Sequence, residues 1–288
     1  MLLWFINFLS YFYPGFNVFY SPILRAFVAT LTAFLIILLL GPSTIRLLSR
    51  YQCDQPIRPD GPAQHKRKAG TPTMGGILIL LSVIITTLLW ADLKNVRIWI
   101  ALFAMFGFGL IGFADDYLKL ILKNSRGLPA RWKYFWQSLL GFTIAYLAHR
   151  VSMNNMELSI PFFKNLNINL GIFYIPFAYC VIVGSSNAVN LTDGLDGLAI
   201  FPTVLVAGAL SIFAYLMGNA IYAHYLMLPF ISNASELTLV CAALVGSGLG
   251  FLWFNSYPAQ VFMGDVASLG LGAILGSIAV MIHLVYFY

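Results

Sequence analysis

Long uncharged apolar stretches alternate with short polar linkers along nearly the whole chain. Runs without a charged side chain cover 26–45, 74–91, 98–114, 134–148, 165–190, 197–217, 237–256 and 266–288. A hydrocarbon core of about 30 Å takes about 20 helical residues to cross. The pattern therefore predicts eight transmembrane helices, the third and fourth extending into their flanks. The fold class expected is all-α, a polytopic membrane helical bundle forming one transmembrane domain over 1–288. Residues 1–20 are apolar and aromatic, broken by Pro14 and Gly15, with no basic leader and no small-residue cleavage site. They read as a short interfacial segment rather than a signal peptide or a full span.

Composition supports a membrane protein: 60% of residues are hydrophobic, mean hydropathy is +0.85 and 9% are charged. Soluble domains carry about 25% charged residues. The excess of 16 Lys+Arg over 10 Asp+Glu follows from the positive-inside rule, so no nucleic acid partner is called for. Cys53, Cys180 and Cys241 are odd in number and widely spaced, which gives neither a disulfide framework nor a metal cluster. They read as apolar filler plus one loop thiol at Cys53. His149, His224 and His283 lack metal-ligand spacing and read as structural.

Charge also orients the chain. Eleven of the sixteen basic residues fall in the linkers after the first and third spans, which places those linkers in the cytoplasm and the N-terminus outside, on the periplasmic face. The cytoplasmic loops are then about 46–73, 115–133, 187–196 and 255–265. Seven of the ten acids share that face, including Asp115, Asp116, Asp193, Asp196 and Asp265 at the very ends of spans. A transporter with intramembrane carboxylates would instead carry acids in mid-span and broken helices in matching halves.

Four stretches carry candidate chemistry. In NAVNLTDGLDGLA (187–199), Asp193 and Asp196 share a face if a helix starts near Thr192, a plausible N-cap. Gly194 and Gly197 let a backbone or ligand approach, while Asn187 and Asn190 offer donors and acceptors suited to a base or sugar. The plainer alternative is a polar turn between spans. In GFADDYLK (112–119), a continuing helix brings Lys119 within reach of Asp115 and Asp116. An adjacent acid pair invites Mg²⁺, or is a solvated helix end. In NSYPAQVFMGD (255–265), Asp265 is an N-cap or a metal ligand, and Phe262 is a stacking ring or a loop anchor. DGPAQHKRKAGTPTMGG (60–76) joins a basic cluster to a Gly/Thr-rich turn without P-loop spacing. It is an orientation signal, a lipid contact or a phosphate contact. The run Arg126 to Lys133 looks first like an interfacial anchor, with Arg131 or Lys133 free to meet an anionic substrate.

Together these motifs resemble the polyprenyl-phosphate N-acetylhexosamine-1-phosphate transferases, and within them the phospho-N-acetylmuramoyl-pentapeptide transferase branch more than its GlcNAc-1-phosphate relatives. The resemblance runs from the N-terminus to about residue 280. It implies transfer of phospho-MurNAc-pentapeptide from UDP-MurNAc-pentapeptide to undecaprenyl phosphate, giving lipid I and UMP with Mg²⁺ as cofactor. It also implies the bacterial cytoplasmic membrane, a cytoplasmic active site, and a homodimer as an allowed assembly. Carried over by residue, Asp265 is the expected Mg²⁺ ligand. Asp115 and Asp116 lie by the lipid phosphate, with Lys119 completing the motif. Lys68, Thr73, Lys133, Asn187, Asn190, Asp193, Asp196, Asn255 and Phe262 are the expected substrate contacts, Phe262 stacking on uracil.

Two departures stand out. Ala267 occupies a family glycine position. The family's ten spans and a His-rich loop between the last two are not matched by a sequence ending at Tyr288. A truncated remnant that still binds nucleotide is therefore the alternative expectation.

Overall fold

The structure, a computed structural model, describes residues 2–50, 71–120, 127–152, 157–159 and 167–283. Its helices are α1 (Leu2–Phe12), α2 (Pro22–Arg50), α3 (Gly76–Trp90), α4 (Val96–Leu120), α5 (Ala130–Val151), α6 (Tyr174–Thr192), α7 (Ile200–Met217), α8 (Ala220–Tyr225), α9 (Leu237–Asn255) and α10 (Asp265–Met281). One antiparallel strand pair, β1 (Glu157–Ser159) with β2 (Asn167–Asn169), precedes α6. Helices thus form at all eight predicted spans, and the third and fourth do extend into their flanks. Among the described residues, five segments are long and apolar enough to cross a membrane: Pro22–Arg50, Val96–Leu120, Gly171–Thr192, Ile200–Met217 and Ala234–Asn255. Gly76–Trp90 and Asp265–Met281 are apolar but shorter. The 22-residue α5 is long enough but carries Arg131, Lys133, Gln137, His149 and Arg150, and it is not among the five.

The helices run back and forth, so the linkers fall into two sets at opposite ends. At one end Arg25, in the first turn of α2, donates to the Trp90 carbonyl (3.2 Å) and to Glu236 Oε2 (3.0 Å). The Asp92 N–H donates to the same carboxylate oxygen at 3.0 Å. Those contacts clamp three chain segments far apart in sequence. The candidate acids converge at the other end.

α10 is the central helix. Every residue from Val266 to Met281 is buried, against α4 on one side and α6 on another. Small residues make that possible. A methyl group on Gly112 of α4 would overlap the Asp265 carbonyl, and one on Gly272 would overlap the Ser185 and Ser186 backbone of α6. Ala267 is fully buried in α10, where its helical backbone needs no glycine, and Gly76 of α3 leaves the room its methyl group fills.

Two expectations are corrected. The uncharged run 165–190 is helical only from Gly171, as a 3-10 turn that leads into α6 at Tyr174, because Asn167–Asn169 pairs as β2. Thr192 is not an N-cap but the last residue of α6, and its hydroxyl donates back to the Val189 carbonyl at 2.8 Å. Asp193 and Asp196 consequently occupy a turn before α7 rather than one face of a helix. Gly197, at φ 71°, adopts the left-handed backbone that helices exclude.

Candidate functional site

The site is built where four helix ends meet: the C-terminal turns of α4 and α6 and the first turns of α5 and α10. α4 remains helical through Leu120, so Asp115 and Lys119 stand one turn apart and pair at 2.9 Å. Lys119 Nζ also reaches Asp265 Oδ2 at 3.1 Å. From the first turn of α5, Lys133 Nζ repeats the pattern, 2.9 Å from Asp115 Oδ2 and 2.9 Å from Asp265 Oδ2. Two ammoniums and two carboxylates thus close a ring. The other Asp115 oxygen accepts the Leu128 N–H at 2.7 Å.

Asp265 is the hub. Its Oδ2 takes both lysines, and its Oδ1 accepts from Asn190 Nδ2 at 3.0 Å. The same Asn190 amide donates to Ser268 Oγ at 2.8 Å, tying α6 to the first turn of α10. Gly264 precedes Asp265 at φ 79°, ψ 170°, a backbone essentially confined to glycine. A Cβ there would also crowd Asp116 Oδ2 and the Thr73 hydroxyl. Glycine is therefore required at this position on two counts.

Asp116 is buried, 5% exposed, and its Oδ2 accepts the Val266 N–H at 3.2 Å. Among the described residues, no cationic group lies within ion-pair distance of it. Asp193 follows α6 directly. Burial, and then the neighbouring Asp265 charge, push its carboxyl up to about 7 against the opposing Gly264 N–H bond.

The loop before α10 is pinned to the turn before α3. Phe262 N–H donates to the Pro72 carbonyl (2.9 Å), Gly75 N–H to Phe262 (2.9 Å) and Gly76 N–H to Met263 (2.9 Å). Thr73 is buried within this ladder and Phe262 is half-buried beside it. Asn255 is 4% exposed and binds both arms of the surrounding loops: its Oδ1 accepts the Gly197 N–H (3.0 Å) and its Nδ2 donates to the Val261 carbonyl (2.9 Å). Asp196 Oδ2 accepts the Ala259 N–H at 3.3 Å.

The structure therefore gathers Asp115, Asp116, Lys119, Lys133, Asn190, Asp193 and Asp265 in one cluster, with the Thr73 hydroxyl beside it and the backbone of Phe262 in the ladder next to it. Asn255 and Asp196 brace the adjoining loops. Asn187 faces Gln137 of α5, one turn away from the cluster. Lys68 and Cys53 lie outside the described residues. Gln137, Ser268 and the Leu128 N–H were not singled out in the sequence. Gln137 had one faint signal, an uncharged amide inside an otherwise aromatic run and four residues after Lys133.

Sequence comparison gives the family. Residues 98–283, which carry every acid of the cluster, match glycosyl transferase family 4. Residues 68–80, which include the ladder turn before α3, match phospho-N-acetylmuramoyl-pentapeptide-transferase signature 1. The first match covers well over half of the chain, and the protein belongs to this family of membrane-embedded polyprenyl-phosphate phospho-sugar transferases.

Proposed function

We propose that the protein transfers phospho-N-acetylmuramoyl-pentapeptide from its UDP-linked precursor to undecaprenyl phosphate, with Mg²⁺, releasing UMP and forming lipid I on the cytoplasmic face of the bacterial inner membrane. The observation that carries this reading is the ring of Lys119 and Lys133 with Asp115 and Asp265, closed by the ends of three helices, α4, α5 and α10. In the transfer, an oxygen of the lipid phosphate forms a bond to the sugar-linked phosphorus. The bond from that phosphorus to the UMP oxygen breaks, and its electron pair leaves with UMP.

Repulsion between two anionic phosphates dominates such a barrier, so fixed cations at the point of encounter are the principal requirement. Lys119 and Lys133 supply two, held in place by carboxylates rather than by solvent. Asp115 and Asp265 orient them, and Asp116 lies beside the point where the phosphate would arrive. A phosphate monoester with a second pKa of about 6 is already largely ionised at neutral pH, so no obligatory base is needed. Asn190 fixes the Asp265 carboxylate from the opposite side.

The donor set fits Mg²⁺. Asp115 and Asp265 are paired with the two ammoniums, and Asp116 and Asp193 add two carboxyls beside them with no cation of their own within ion-pair distance among the described residues. All the remaining donors are oxygens, and Mg²⁺ typically uses one or two protein carboxylates plus substrate phosphates. Asp265 would hold it, with Asp116 alongside. When bound, it neutralises the diphosphate and stabilises the leaving oxygen.

Helix length supports a membrane-borne acceptor. At about 1.5 Å per residue, α3 and α10 are about 22 and 25 Å long, short of a core of about 30 Å. Helices this short leave room for Asp265, at the start of α10, to sit below the level of the headgroups, which supports a lipid phosphate as the acceptor. The deciding experiment supplies purified protein with radiolabelled UDP-MurNAc-pentapeptide, undecaprenyl phosphate and Mg²⁺. Labelled lipid I should form, should be lost with EDTA and should be lost in Asp265→Ala. Absence of product from the unaltered protein would refute the proposal.

A further inference from the structure

One helical turn from the Asp265 hub, α5 and α6 share a part-buried polar contact that takes no part in the transfer itself. Gln137 is 2% exposed on α5, and its amide faces that of Asn187 on α6. Asn187 Nδ2 donates to Gln137 Oε1 at 3.1 Å, and Gln137 Nε2 donates back to Asn187 Oδ1 at 3.4 Å. Asn187 Nδ2 also donates to the Val183 carbonyl at 2.8 Å. Both Asn187 donors and its oxygen are thus engaged within the bundle, and the side chain has no donor left for a nucleotide.

The spacing gives this pair its meaning. Lys133 precedes Gln137 by four residues and Asn190 follows Asn187 by three, so each lies one turn nearer the cluster on the same face of its helix. Lys133 holds Oδ2 of Asp265, and Asn190 holds Oδ1. The two helices therefore meet through a reciprocal amide pair and then through the two oxygens of one carboxylate, while Tyr179 of α6 shares hydrogen bonds with Tyr134 and Ser138 of α5 (2.9 Å each) and stacks on Phe142. One turn further from the cluster, a methyl group on Gly141 would press on Val183 and Tyr179, so the helices are also in close contact there.

We propose that Gln137 and Asn187 are positioning residues, whose reciprocal amide contact sets the separation and rotation of α5 and α6 so that Lys133 and Asn190 close on both oxygens of Asp265. The pair is self-complementary in one register: turning or sliding either helix by a residue breaks both bonds at once. A buried amide stripped of its partner is strongly disfavoured, so the contact selects a single arrangement. This role rests on the reading of Asp265 as the reaction centre.

The test replaces both amides, Gln137→Leu with Asn187→Leu. Removing both partners leaves no unpaired buried amide and keeps the packing, so the melting temperature should stay near that of the unaltered protein. Turnover should fall by about 10- to 100-fold, as for other residues that orient a ligand-bearing group, with KM for the UDP-linked substrate little changed. The reciprocal exchange, Gln137→Asn with Asn187→Gln, should recover most of the loss. Full activity in the leucine pair would overturn the proposal.

A stability cycle tests the same point without turnover. Asn190→Ala should lower the melting temperature less in the leucine-pair background than in the unaltered one, because the grip on Asp265 is already loosened. Equal losses, the behaviour of independent sites, would overturn the proposal even if no transfer were detected. Should the leucine pair not fold, Gln137→Met carries both measurements.

Discussion

Lys133 Nζ lies 2.9 Å from Asp265 Oδ2, joining the first turn of α5 to the first residue of α10. With Lys119 at 3.1 Å from the same oxygen, two cations share one carboxylate. Their mutual repulsion is tolerable because Asp115 binds both on its other side. In the proposed reaction an incoming phosphate would compete with the two carboxylates for these ammoniums.

Lys133→Gln should therefore reduce turnover by about 10²- to 10³-fold, the scale seen when one donor to a developing anion is removed. Lys133→Arg should recover little, because a planar fork cannot sit as a point charge between two carboxylates. Initial rates of lipid I formation for the three proteins, at saturating substrates, check this.

The eight helices were legible in the sequence because uncharged runs of the right length have few alternatives in a chain this apolar. Lys133 was less legible. An i,i+4 pattern reveals partners within one helix, as for Asp115 and Lys119, whereas the Lys133–Asp265 contact spans 132 residues. Lys133 accordingly read first as part of an interfacial anchor. The strand β2 was missed for a different reason. Asn165, Asn167 and Asn169 alternate with Leu166, Ile168 and Leu170, a period-two pattern hidden by the absence of charge. The Thr192 expectation failed because a Thr-Asp pair suits a helix start, yet the glycines that follow it terminate one.

Asp193 gives a pH-dependent prediction. Its folded pKa is raised to about 7, above the ordinary range of an unfolded carboxyl. The unfolded chain thus releases this proton first. Asp193 costs no stability at pH values below the unfolded pKa, and the cost grows as pH rises to about 7, beyond which it levels off. Asp193→Asn removes the titrating group. Its melting temperature relative to the unaltered protein should rise between pH 5 and pH 8, measured in EDTA so that no divalent cation contributes. A difference that is constant or falls with pH would contradict the burial assigned to this carboxyl.

Phe262 supplies a separate test of the nucleotide side. Its backbone is locked by the Pro72 and Gly75 bonds, so the ring can change without loosening the loop. If the ring stacks on uracil, Phe262→Leu should weaken UMP binding by about 1–3 kcal/mol, the usual contribution of a base–aromatic stack. Phe262→Trp should retain most of it. Isothermal titration with UMP distinguishes this from an anchoring role, in which all three proteins bind alike and only the melting temperature falls.

The far end of the bundle offers a change that should spare the chemistry. Arg25 is 4% exposed, and its carboxylate partner Glu236 also receives the Asp92 N–H. Removing one member of a buried ion pair leaves the other uncompensated, at a typical cost of about 3–5 kcal/mol. Arg25→Ala should therefore lower the melting temperature by several degrees. Replacing the pair together, Arg25→Met with Glu236→Leu, should recover most of it, since both desolvation penalties vanish along with the attraction. Neither change reaches the cluster, which α3, α4, α9 and α10 place at their opposite ends. Lipid I formation measured well below the melting point should stay within about twofold of the unaltered protein, as expected for sites too far apart to couple. A loss of turnover that persists after stability is restored would mean instead that the two ends move together, with the clamp at Arg25 holding the helices in the register the carboxylate cluster requires.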